Sequence, residues 1–95
     1  MKREFRNAMQ KAINESNLNG HEWKVTTDGL SWSYLDGEQF TFVERDEFIV
    51  VRDSAGKRFC FVAYSESDSF ADCKTLTEAY YLVALATISK ANYLY

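Results

Sequence analysis

The chain has 95 residues, is 46% hydrophobic and 16% aromatic, and carries a net charge of −3 at pH 7. That balance excludes disorder, which needs low hydrophobicity and high net charge, and the length predicts one domain over residues 1–95, near the lower limit for a single core. The modest negative charge gives the whole molecule no pull towards phosphate backbones and is far from the acidity of a polyanion mimic.

In chain order, the first predicted element is a helix. Phe5, Ala8, Met9, Ala12 and Ile13 follow the i, i+3, i+4, i+7, i+8 spacing of a helix with one buried face. Asn19-Gly20 supplies a left-handed stop. The polar opening Met1-Lys2-Arg3-Glu4 has no apolar segment behind it, which predicts no secretory signal and a reducing, cytoplasmic setting. No window approaches about 18 consecutive apolar residues, so no spanning helix and no membrane partner are expected. From His21 the period changes to two. Trp23 and Val25 alternate with polar residues up to Asp28-Gly29. Leu30, Trp32 and Tyr34 alternate with serines up to Asp36-Gly37, and Phe40 and Phe42 alternate up to Glu44-Arg45-Asp46-Glu47. Each Asp-Gly offers the positive φ of a tight hairpin turn at little steric cost, so an antiparallel meander is expected.

The next two runs are apolar on both faces: Phe48-Ile49-Val50-Val51 and Phe59-Cys60-Phe61-Val62-Ala63-Tyr64. They predict strands that are central or covered on both sides, joined by Asp53-Ser54-Ala55-Gly56. The earlier strands, with Ser31, Ser33 and Thr41 on one face, read as half-exposed. Ser65 to Asp72 reads as a polar, acidic loop. Thr75, Leu76, Thr77 and Glu78 read as a capping box, in which the Thr75 hydroxyl and Glu78 carboxylate satisfy reciprocal backbone donors. The helix it opens is predicted to run to about Ala91. The expected fold class is α+β: an antiparallel four- to five-stranded meander sheet flanked by an N-terminal and a C-terminal helix, both on one face.

At about 100° per residue, the C-terminal helix is apolar on two sides. Leu76, Tyr80 and Val83 lie along one flank; Tyr81, Leu82, Leu85 and Ile88 lie along the other, with Ala79, Ala84, Ala86 and Ala91 between them. A helix on a sheet needs one stripe. The second flank must meet the first helix, a second copy or another protein, and Tyr93 and Tyr95 extend the apolar surface beyond it.

Residues that could carry chemistry are sparse. His21, the sole histidine, reads as a solvent-facing turn residue. Cys60, among Phe59, Phe61 and Val62, reads as an inert core thiol, whereas Cys73 beside Lys74 reads as more exposed and mildly reactive. Their spacing is neither a disulfide framework nor a Cys-x-x-Cys pair. Glu66, Asp68 and Asp72 loosely resemble oxygen ligands for calcium but lack the alternation, central glycine and terminal glutamate of an EF-hand loop. The glycines serve turns and a helix stop, not a phosphate-binding loop. No catalytic residue, cofactor or metal is therefore expected.

The helix–sheet–helix order is similar to that of the double-stranded-RNA-binding domain, but Thr75-Leu-Thr-Glu-Ala stands where that family carries a basic run. Nucleic-acid binding, through Lys2, Arg3, Arg6 and Lys11 with the aromatics Trp23, Trp32, Tyr34, Phe40 and Phe42, is the alternative function. The leading expectation is a small non-enzymatic protein-binding module, or a homodimer. In size and style the chain resembles the small accessory proteins of phages and prophages, the anti-CRISPR proteins among them, which implies inhibition by docking on a host protein. The expected docking residues are Tyr81, Leu85, Ile88, Tyr93 and Tyr95 of the C-terminal helix and tail, with Glu44, Asp46, Glu47, Glu66 and Asp68 steering a basic partner.

Overall fold

The computed structural model describes residues 2–32 and 37–95. Its elements are α1 (Arg3–Glu15), β1 (Trp23–Val25), β2 (Gly29–Trp32), β3 (Gln39–Arg45), β4 (Phe48–Arg52), β5 (Arg58–Ala63) and α2 (Leu76–Leu94). The strands pair antiparallel in the order β1-β2-β3-β4-β5, a meander between two helices, so the fold is the expected α+β. Ser33, Tyr34 and Asp36, read above as the end of the second strand and its turn, lie outside the described residues.

Helix α1 buries the residues its spacing selects: Phe5, Ala8, Met9, Ala12 and Ile13. Its end differs from the expected stop. Ser16 closes the helix by donating its N–H to Ile13 O and its hydroxyl to Ala12 O. Asn19 (φ 47°) and Gly20 (φ 87°) are left-handed, but they form a separate turn in which His21 N–H meets Leu18 O at 2.8 Å. Gly29 also serves another purpose than expected. Its φ is not positive; a Cβ there would lie 2.1 Å from the Phe40 carbonyl oxygen, so the missing side chain lets β2 lie against β3.

The strand register assigns the two faces of the sheet. Trp23, Leu30, Phe40, Phe42, Ile49, Val51 and Val62 alternate onto one face and are buried. In β5 the pairing slips by one residue: Cys60 opposes Val51 while Arg58 opposes Arg52, leaving Phe59 as a bulge. Phe59 and Cys60 therefore both turn inward, Phe59 against Phe40 (ring centroids 4.7 Å apart) and Cys60 against the Thr87 hydroxyl at 3.3 Å.

Both helices cover this inner face. Thr75 Oγ1 accepts the Glu78 N–H at 3.1 Å, but Glu78 reaches back to Lys74 N–H and not to Thr75. Ala79, Tyr80, Val83, Ala84, Thr87, Ile88 and Ala91 of α2 are buried. Tyr80 joins the layers, stacked on Phe5 of α1 at 4.4 Å and facing Phe42 of β3 at 6.2 Å. α2 runs to Leu94, one turn beyond the expected end.

Candidate functional site: the open face of the sheet

The other face of the sheet has no helix on it among the described residues. Register places Val43 beside Val50 beside Phe61, and Arg45 beside Phe48 beside Ala63, on that face. Phe61 is 53% and Phe48 38% exposed, whereas Val50 between them is 7% exposed. The strands β4 and β5 were expected to be central or covered on both sides. Instead β5 is the sheet's edge and the second apolar face is bare. Apolar surface thus lies bare here as well as at the end of α2, where Tyr93, Leu94 and Tyr95 are exposed.

A groove of about 430 Å³ runs along this strip, lined by Asp46, Glu47, Phe48, Val50, Arg58, Phe61 and Ala63. Its charges are separated. Asp46 and Glu47 form the β3–β4 turn at one end, and Arg58, whose guanidinium lies 5.3 Å from the Phe61 ring centroid, stands at the other beside Arg52. Such stacking on an exposed ring contributes about 0.5–1 kcal/mol and holds the ring in place. Glu47 keeps a left-handed backbone (φ 64°), a conformation that costs a non-glycine residue about 1 kcal/mol or more.

The free edge of β5 is blocked by two side chains and by the backbone at Cys73. Lys90 Nζ donates to Phe59 O at 2.7 Å, and Asp72 Oδ2 accepts Ala63 N–H at 2.9 Å. Cys73 N–H meets Ala63 O at 3.3 Å. Because the edge-facing groups alternate, Phe61 alone is left to pair outward, too little to template another strand. On the β5 side the open surface is therefore a face and not an edge.

The expected docking residues divide. Ile88 is fully buried, so it is core and not surface. Leu85 and Tyr81 are half-buried against the core. Tyr81 also packs on α1, with its hydroxyl donating to Glu15 and Lys11 Nζ 4.9 Å from its ring. The α2 flank is thereby largely occupied by the chain's own fold. Tyr93 is 89% exposed, and Tyr95 is exposed with its ring edge against Trp32 at 5.0 Å. Asp46 and Glu47 line the groove; Glu44 faces the helix side, in a cleft with Lys2, Phe5, Asp28, Phe42 and Tyr80. Glu66 and Asp68 lie on the expected loop, whose turn is tied by Ser65 and Asp68 and presents Phe70, 95% exposed. Sequence reading missed Phe48, Phe61 and Phe70; the signal present was two-faced apolarity in β4 and β5, and a lone phenylalanine in an acidic loop.

Of the aromatics assigned to base stacking, Trp23, Phe40 and Phe42 are closed under the helices. Trp32 is half-buried, with His21 stacked on it at 4.4 Å, and Tyr34 lies outside the described residues. His21 is accordingly a packed residue with a buried Nδ1, not a free turn residue. Cys73 is buried rather than exposed, and burial together with the Glu78 carboxylate pushes its thiol up. Burial pushes the Cys60 thiol up as well, against the Thr87 hydroxyl that stabilises its anion. Neither is a ready nucleophile at neutral pH. In the cleft at Glu44, burial and that carboxylate push the Tyr80 phenol up, so it stays neutral and cannot act as a base. No group of three or more metal-ligating side chains occurs among the described residues, and no helix of the described chain is long and apolar enough to cross a membrane.

What the fold and this surface define is a two-layer α+β domain with a bare, charge-polarised sheet face. No family model, curated protein or solved structure matches the chain.

Proposed function

We propose that the chain is a non-enzymatic protein-binding module that docks through the open face of its sheet. It would act as phage- or mobile-element-type inhibitors do, by occupying a surface of its partner. The observation that carries this reading is the pair of exposed rings Phe48 and Phe61 flanking the covered Val50, in a groove bordered by Arg58, Asp46 and Glu47. Aromatic and arginine side chains around an apolar centre are the composition of a protein interface core. The Phe61 ring is stacked by the Arg58 guanidinium, which lowers the side-chain entropy that docking there forfeits.

On this strip nucleic acid is disfavoured, and Trp23, Phe40 and Phe42, the aromatics a base-stacking surface would use, are closed under the helices. A phosphate backbone crossing the strip would leave it past Asp46 and Glu47, where it is repelled. The test is affinity capture from a lysate of the cells in which the chain acts, comparing wild type with Phe61→Glu and with Tyr93→Ser. A partner held by wild type and Tyr93→Ser but lost with Phe61→Glu supports the sheet face; capture indifferent to Phe61→Glu refutes it.

A further inference from the structure

Resting on that reading, we infer that the open sheet face pairs with a second copy of this chain in a two-fold, face-to-face dimer. The argument is the order of chemistry along β4 and β5. Asp46 and Glu47 stand at one end, Phe48, Val50 and Phe61 in the middle, and Arg52 and Arg58 at the other end. A surface that runs acid, apolar, base in one direction complements itself when a copy is laid on it with its strands reversed. A two-fold axis in the contact plane, crossing the strands at the Val50–Phe61 pair, does this. It sets Phe61 against Phe61, and it lays Arg52 and Arg58 of each copy over Phe48 and Ala63 of the other, with the Asp46-Glu47 turn next beyond them.

The charges of opposite sign at each end do not cancel this polarity. Arg45 stands opposite Phe48 at the acidic end, against two carboxylates. At the basic end Asp53 is turned into its own loop, its Oδ1 accepting the N–H groups of Ala55 at 3.0 Å and Lys57 at 2.9 Å; Arg52 braces the same loop, its Nη1 donating to Gly56 O at 3.0 Å, so Arg58 is the freer cation of the strip. A foreign partner needs no such alternation in this chain. The strip covers only three strands of about five residues, well short of the ~800 Å² per partner of a standard interface, so the dimer is weak. A dissociation constant of roughly 10 µM to 1 mM is expected.

Sedimentation velocity of the whole chain, from about 10 µM to 1 mM, tests this at low and high salt. Wild type should dimerise, more weakly at high salt because the end charges are exposed. Phe61→Glu should remain a monomer with an unchanged far-ultraviolet circular dichroism spectrum. Two charge-reversed variants decide the geometry: Asp46→Lys/Glu47→Lys, and Arg52→Glu/Arg58→Glu. Each alone faces like charge across the axis and should self-associate at least about tenfold more weakly, equivalent to about 1.4 kcal/mol. Their equimolar mixture restores opposite charges at both ends and should recover dimerisation to within about threefold of wild type. A mixture no tighter than its components overturns the proposal. Wild type monomeric at 1 mM also overturns it; if Phe61→Glu then still abolishes capture from lysate, a foreign protein occupies the face and the docking reading survives. Binding of a 20-nucleotide single strand that Arg52→Glu/Arg58→Glu abolishes overturns both.

Discussion

Replacing Ile88 with alanine separates core from interface on α2. Ile88 is fully buried in the layer between helix and sheet, one turn from Ala84 and beside Thr87. Truncating such a side chain removes its burial and leaves a cavity, which together cost about 2–5 kcal/mol. Alanine's better helix propensity returns a few tenths of that, so about 3 kcal/mol is expected. A chain of this length has roughly 5–14 kcal/mol of total stability, so the variant should still fold. Its melting temperature should fall by about 12–24 °C, at about 4–8 °C per kcal/mol for a domain of this size. Urea unfolding followed by circular dichroism at low micromolar concentration reads the same loss, as a lower midpoint with unchanged slope. Phe61→Ala is the control: its ring is half in solvent, so its loss should stay within about 1 kcal/mol, the worth of a cross-strand contact. If Ile88→Ala kept the wild-type midpoint within about 0.5 kcal/mol and instead weakened association, the side chain would face outward and α2 would not lie on the sheet by this face.

Further substitutions test single features. Glu47→Gly should raise stability by about 0.5 kcal/mol, since relief of the left-handed backbone exceeds the entropy glycine adds to the unfolded chain; Glu47→Ala should bring no gain, and equal melting temperatures would dismiss the strain. Gly29→Ala should cost at least about 2 kcal/mol in urea unfolding, because its Cβ meets backbone and not a movable side chain. Both thiols should react with a disulfide reagent at pH 8 at least about 100-fold more slowly in the native chain than in denaturant, and rapid native labelling of Cys73 would contradict its burial. Cys60, Cys73, Tyr64 and Tyr80 all hold their protons more tightly folded than unfolded. Their contribution is complete below the unfolded values, about 8.5 for thiols and 10 for phenols, and disappears as pH rises through the folded ones. The urea midpoint should therefore fall between pH 8 and pH 10.5; a rise would reverse the assignment.

Where the sequence pattern is local, it is legible. The spacing of Phe5, Ala8, Met9, Ala12 and Ile13 names the buried face of α1, and Thr75 names the start of α2. The order of strands follows from short turns. What could not be read locally was which side of each element the partner element would take. Ile88 and Phe61 are equally apolar; only the placement of both helices on one face buries the first and bares the second. The Phe59 bulge is of the same kind. Strict alternation would put Phe59 and Phe61 together on the open face, but the extra residue turns Phe59 inward to Phe40.

That bulge also explains why the open strip has its particular polarity. With Phe59 turned in, the residues that β5 presents outward are Arg58, Phe61 and Ala63, and the cation sits directly beyond the ring it stacks upon. The bulge carbonyl is then taken by Lys90 from α2, which blocks the edge at the same point. One inserted residue thus fills the core, closes the strand's edge to uncontrolled pairing and leaves a single ordered phenylalanine beside an arginine on the face. A polar residue in place of Phe61 would cost the fold little, because the outward side of an antiparallel strand tolerates either. Phe61 and Phe48 leave in water apolar area that folding does not recover, and the proposed docking surface rests on that area.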